Sequence, residues 1–122
     1  MRVISIAMNI EEYRNYCLSL GDDVEEKMPF GAFHHAAAVL AFYVKGHMFA
    51  FFDTDSLRVV TLKCKPEHIE DLKERHSGIG KPNNLSPKHW IGVDPHQVDA
   101  QLLRTLTCES YDIVKSKYSK KK

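Results

Sequence analysis

The chain has 122 residues and a mass of 14.0 kDa, with 43% apolar residues, 27% charged residues and a formal charge of +1. That length supports one domain with a real core, and this balance is that of an ordinary soluble globular protein, which excludes wholesale disorder. No apolar run reaches the roughly 18 residues that a spanning helix needs, and a near-zero net charge excludes a uniformly basic protein.

Residues 1–7 read as an N-terminal extension, and a single domain is expected over 8–118. Asn9 followed by Glu12 is a capping-box pattern, in which each side chain accepts the other's backbone N–H. Ile10, Tyr13, Cys17 and Leu20 then recur at helical spacing, and Gly21 is placed to end the helix in a left-handed conformation. The first helix is expected over about 10–20. Residues 22–35 read as loop, punctuated by Pro29 and Gly31.

Ala37 to Val44 is apolar and rich in β-branched and aromatic residues, as strands are. Lys45-Gly46 suits a tight two-residue turn into a second strand, His47 to Phe52. Alternation places Met48, Ala50 and Phe52 on one face and His47, Phe49 and Phe51 on the other. Both faces are largely apolar, the pattern of a central strand covered on both sides or of a sheet face meeting a partner chain. After a polar turn at 53–56, Leu57 to Cys64 reads as a third strand. Arg58, Val60, Leu62 and Cys64 share one face, and Val59, Thr61 and Lys63 the other.

Pro66 opens a second helix, about 66–76, with Ile69, Leu72 and His76 at helical spacing. Gly78, Gly80 and Pro82 break the chain. A short edge strand is expected near 83–87, and Lys88 to Val93 reads as a strand in which Lys88 and Trp90 share a face. Pro95 opens a third helix to about Tyr118, with Val98, Leu102, Leu106, Ile113 and Val114 as its apolar stripe. The order α-β-β-β-α-β(β)-α predicts an α+β fold in two layers, an antiparallel sheet with helices packed on it.

Charge is unevenly spread. The last eight residues hold five lysines and no acid, so the rest of the chain stands at −4. Residues 119–122 form a basic tail. Cys17, Cys64 and Cys108 form no CxxC pair, so the default is buried, reduced thiols in a cytoplasmic protein. The first eight residues include too short an apolar stretch for a signal-peptide core.

Seven histidines invite a metal reading. His34-His35 point to opposite faces of an extended segment, and His68 and His76 do not converge on one ion, so no metal site is expected. The 78–81 segment lacks P-loop spacing and follows a helix, so it reads as a loop; Asp53 and Asp55 read as turn residues. No cysteine is placed beside a histidine that would activate it. No catalytic residue, enzyme activity or cofactor is expected.

The Lys88-His89-Trp90 string is the most distinctive. A lone tryptophan between a basic residue and a β-strand can stack on a nucleobase or simply pack. The terminal lysines can neutralise phosphates or complement the negative end of a helix.

Together these motifs resemble those of the MmcQ/YjbR proteins. The segment Met8 to Leu20 resembles the amino end of that family, followed by Pro29-Phe30-Gly31 and by Val44 to Ala50. Leu62-Lys63-Cys64 with Pro66-Glu67 is similar to the family's third strand and second helix. Lys88-His89-Trp90-Ile91 is similar to its most recognisable motif, and Ser110-Tyr111 with the lysine tail resembles its ending. The resemblance covers about residues 8–120. It departs from the family at 32–38 and 83–87.

The resemblance implies a domain like that of YjbR and the type III secretion chaperones, and DNA binding through a pair of β-wings. Residue by residue it points to Lys63, Lys88, His89 and Trp90, with Arg58 and the tail lysines Lys120, Lys121 and Lys122 as auxiliary phosphate contacts. The expected partner is DNA, bound with low affinity because the body is acidic, and no membrane. The alternative is a small anionic-ligand or protein-binding module, with a pocket of Phe30, Lys63, His89 and Trp90. A homodimer through the Phe49/Phe51 face is compatible with either.

Overall fold

Asn9 Oδ1 accepts the Glu12 N–H at 2.8 Å and Glu12 Oε1 accepts the Asn9 N–H at 3.1 Å, so helix α1 (Ile10–Ser19) starts at its capping box. The structure is a computed structural model that describes residues 9–27, 39–53, 59–82 and 85–118. Helix α1 does not end in a left-handed glycine. Its C-cap, Leu20, keeps right-handed φ −69 and ψ −26. Gly21 is needed for close approach instead: a Cβ there would run into the Tyr111 hydroxyl and lie 2.6 Å from Asp23 Oδ1.

The segment read as loop contains a short strand, β1 (Glu25–Lys27), which pairs with β2 (Val39–Val44). Three charged residues give no alternating apolar signal, which is why the pattern hides it. The same charges suit a sheet edge, where they discourage pairing with another chain. Arg14 of α1 reaches Glu26 with two hydrogen bonds and fastens this edge.

Strand β2 turns into β3 (His47–Asp53) through Lys45 at φ 55 and Gly46 at φ 79, the two positive angles of a type I′ hairpin. Next come β4 (Val60–Lys63), α2 (Pro66–Arg75), β5 (Ile79–Gly80), β6 (Trp90–Val93) and α3 (Ala100–Tyr118). All neighbours are antiparallel, in the order β1-β2-β3-β4-β6-β5. The fold is α+β, as expected, with one strand more at its start. The second edge strand lies at Ile79–Gly80, earlier than the pattern placed it.

Helix α3 starts later than Pro95. Asp94 takes residues 95–97 into a turn, its carboxylate accepting from His96 N at 2.9 Å and Gln97 Nε2 at 3.0 Å. Asp99 then caps the helix, Oδ1 accepting from Leu102 N at 2.8 Å. The buried stripe of α3 is Leu103, Leu106, Thr107, Ser110, Tyr111 and Val114. Leu102 and Ile113, expected at its centre, flank it half-buried. Two buried hydroxyls made the stripe hard to see as apolar.

The helices cover one face of the sheet. There Tyr13, Phe42, Phe49, Phe52, Leu62, Ile91 and Leu103 form the centre of the core. Tyr13 meets Phe52 edge-on at 5.5 Å between centroids, and Phe49 meets Tyr111 edge-on at 5.4 Å. The Thr107 hydroxyl donates to Leu103 O at 2.8 Å, so the buried Tyr13 hydroxyl, 2.9 Å away, donates to Thr107 Oγ1.

Phe49 departs from strict alternation. Phe42 pairs with Ala50 and Tyr43 with Met48, so Phe49 is an extra residue in β3. The bulge turns its ring to the helix side with Phe52. Phe49 and Phe51 are 0% and 8% exposed, so the single chain presents no open Phe49/Phe51 face for a dimer. Among the described residues, no helix is long and apolar enough to cross a membrane.

Candidate functional site

The β4–β6 ladder brings the middle of the predicted site together. Lys63 is the register partner of Trp90, and the Lys63 ammonium stands over the indole at 5.1 Å from the ring centroid. One step further, Cys64 N donates to His89 O at 2.9 Å. That bond is flanked on one strand by Lys63 and Lys65, and on the other by Lys88 and Trp90.

Lys88 and His89 do not extend β6. They lie in a turn in which the N–H groups of His89 and Trp90 both reach Ser86 O, at 3.2 and 3.1 Å, and Lys88 N reaches Ser86 Oγ at 3.2 Å. The strand alternation expected for Lys88 and Trp90 therefore does not hold. Lys88 and His89 are exposed and, with Pro66, Ile69, Glu70 and Pro87, line a groove of about 300 Å³ beside α2. Lys63 and Trp90 stand on the outer face of the sheet, away from the helices. The expected single pocket of Lys63, His89 and Trp90 is thus divided between two faces.

Lys63 is held from behind. Ser110 Oγ, on α3, accepts the Lys63 backbone N–H at 2.9 Å and donates to Phe49 O at 2.6 Å. The bulge leaves room between these two strand groups, and the serine fills it.

The charges around the site are uneven. Arg14, Lys27, Lys73, Arg75 and Lys115 each face a carboxylate. Lys63, Lys65 and Lys88 make no ion pair among the described residues. Lys65 was not singled out by the sequence reading. The signal available for it was its place two residues beyond Lys63, just before the proline that opens α2. Acids approach from the helix side: burial first, then the charges of Glu109 and Glu67, push the Cys64 thiol up.

Phe30, Arg58, Lys120, Lys121 and Lys122 lie outside the described residues. All three cysteines are free. Burial pushes the Cys17 thiol up to about 12. No group of three or more metal-ligating side chains converges among the described residues.

The sequence matches the family model described as YjbR over residues 18–113. The fold is similar to a crystal structure of a Deinococcus radiodurans protein with the DUF419 domain, at a TM-score of 0.81 and 30% identity, covering 93% of this chain and 84% of that one. It is also similar to a crystal structure of a protein from Pseudomonas syringae, at a TM-score of 0.72 and 20% identity, covering 88% of this chain and 99% of that one. The second likeness is one of fold. No curated protein matches the sequence.

Proposed function

The chain belongs to the YjbR family, and from that premise we propose that it binds DNA weakly, through the end of the β4–β6 ladder. The observation that carries the proposal is Lys63, which pairs with no acid among the described residues and stands over the half-buried Trp90, with the exposed Lys88 two residues before that tryptophan. Ammonium groups that no carboxylate neutralises are free to meet phosphates, and phosphate contact supplies most of non-specific DNA affinity. Trp90 adds an apolar surface beside them. The family resemblance adds Arg58, Lys120, Lys121 and Lys122 as auxiliary phosphate contacts.

The acidic balance of the body keeps affinity low. The protein acts as a binding protein without catalysis, in the cytoplasm, where its three free thiols stay reduced. A second reading rests on the groove of about 300 Å³ at Lys88 and His89, which has the size of a small-ligand site. Glu70 lines the same groove and disfavours a small anion enclosed there, so DNA, met first by Lys63 on the outer face, is the preferred ligand.

The test is a titration of a labelled duplex across a range of salt. The full chain, Lys63→Ala, Lys88→Ala and a chain ending at Tyr118 are compared. The cut keeps Lys115, which pairs with Asp23 at 3.0 Å, and Tyr118, whose ring stacks on His47 at 3.4 Å. Each lysine variant is expected to weaken binding and reduce the salt slope by about 0.9. Binding that disappears only with the tail would contradict a site on the folded body.

A further inference from the structure

The outer face of the sheet repeats the Lys63–Trp90 arrangement at its far side. Tyr43 projects from β2 on that face, and Lys27 Nζ lies 4.9 Å from its ring centroid. Tyr43 pairs with Met48, and Lys63 pairs with Trp90. Because Phe49 is bulged out of the alternation, Met48 of β3 and Lys63 of β4 both project from the outer face, where the β3–β4 ladder gives way to the Ser110 bridge between Phe49 O and Lys63 N. The Tyr43–Met48 pair and the Lys63–Trp90 pair thus lie side by side on the outer face of four successive strands, and all four residues are half-buried. Beside them, Ala41, Phe51 and Thr61 are closed to solvent.

We propose that this surface is a stacking platform for unpaired bases, so that the ligand of the site is single-stranded nucleic acid. The inference rests on the nucleic-acid reading above and goes further by naming the strand state. Three inter-strand steps separate Tyr43 from Trp90, about 14 Å. Bases in a stacked strand are about 3.4 Å apart. The two rings therefore address bases about four positions apart, with the strand between them drawn across Met48 and Lys63.

A duplex keeps its bases paired and stacked inside, where rings on a flat sheet cannot reach their faces. A single strand can splay its bases onto such rings. Each ring carries an ammonium over its face, which a stacking base displaces and which then meets the flanking phosphate. Lys27 is shared with Glu25 at 3.6 Å, whereas Lys63 has no acidic partner among the described residues. Lys63 therefore carries the larger part of the salt dependence.

The experiment compares three labelled ligands of equal length on the full chain: a thymidine single strand, the same strand without bases, and a duplex. Stacking predicts that the thymidine strand binds about tenfold more tightly than the abasic strand, the effect of roughly one stacked base. Tyr43→Ala should narrow the difference between the two affinities to the share that Trp90 supplies, and Tyr43→Phe, which keeps the ring and the fold, should preserve the preference. Equal affinity for thymidine and abasic strands would overturn the platform and leave phosphate binding in place. Tighter binding of the duplex than of the single strand would overturn it in the same way. No binding of any ligand would overturn this inference and the DNA reading together.

Discussion

The Ser110 hydroxyl accepts the Lys63 backbone N–H at 2.9 Å, tying the middle of α3 to the strand end that carries the candidate site. The same oxygen donates to Phe49 O at 2.6 Å. One buried side chain therefore satisfies both strand groups that the β3 bulge leaves without a ladder partner. Ser110→Ala strands a buried donor and a buried acceptor, which costs about 1–3 kcal/mol. The expected result is a lower urea midpoint with an unchanged slope. An unaltered midpoint would mean that the bulge closes without the serine.

Gly21 and Tyr111 are coupled by contact. The Tyr111 hydroxyl donates to Asp23 Oδ1 at 2.7 Å and occupies the space where a Cβ on Gly21 would stand. Gly21→Ala should cost about 1–3 kcal/mol through overpacking. In a Tyr111→Phe background the obstructing oxygen is gone, so the cost of the same alanine should shrink. A double-mutant cycle by urea denaturation measures this, and strict additivity would contradict it.

Asp23, the Tyr111 hydroxyl and Lys115 form one polar group at the rim of the core. Hydrogen bonds from Tyr111 first, then from Lys115, hold the Asp23 carboxyl below its usual value. Asp23 accordingly adds stability above its unfolded pKa of about 3.9, and that stability is lost as pH falls through the folded value. Hydrogen bonding to Asp23 first, then Tyr111, raises the Lys115 ammonium. Its contribution is complete below an unfolded pKa of about 10.4 and is lost as pH rises through the folded value. Thermal midpoints across pH should therefore show both limbs in the wild type. Asp23→Asn should flatten the acid limb and reduce the alkaline one.

The first helix cap, the Lys45-Gly46 turn, Pro66 at the start of α2 and the inward set Val60, Leu62 and Cys64 were legible because each is a local rule. What was not legible depends on partners far away in the chain. Glu25–Lys27 is a strand only because β2 accepts it at the edge. The expected alternation of Phe49 with Phe51 fails because α3 offers Ser110 and Tyr111 to the bulge. Lys63 opposite Trp90 joins two segments already suspected of serving one site. The division of that site between two sheet faces needed the turn at 87–89, which no periodicity marks.

The thiols offer a test of the core itself. Cys17 is 0% exposed, and burial pushes it up to about 12. Cys108 is only half-buried, and burial first, then the Asp112 charge, pushes its thiol up. With a chromogenic disulfide reagent near neutral pH, Cys108 should react first and slowly, and Cys17 only on unfolding. Rapid reaction of Cys17 in the native protein would contradict the packing of α1 on the sheet.

Trp90 is the single tryptophan of the chain, so its emission reports on the candidate site alone. The most direct measurement is that emission during titration with a labelled single strand, read beside the strand's anisotropy. The account predicts that both signals change and saturate at the same midpoint. A rise in anisotropy with unchanged tryptophan emission would place binding elsewhere on the chain and contradict the assignment of Lys63 and Trp90.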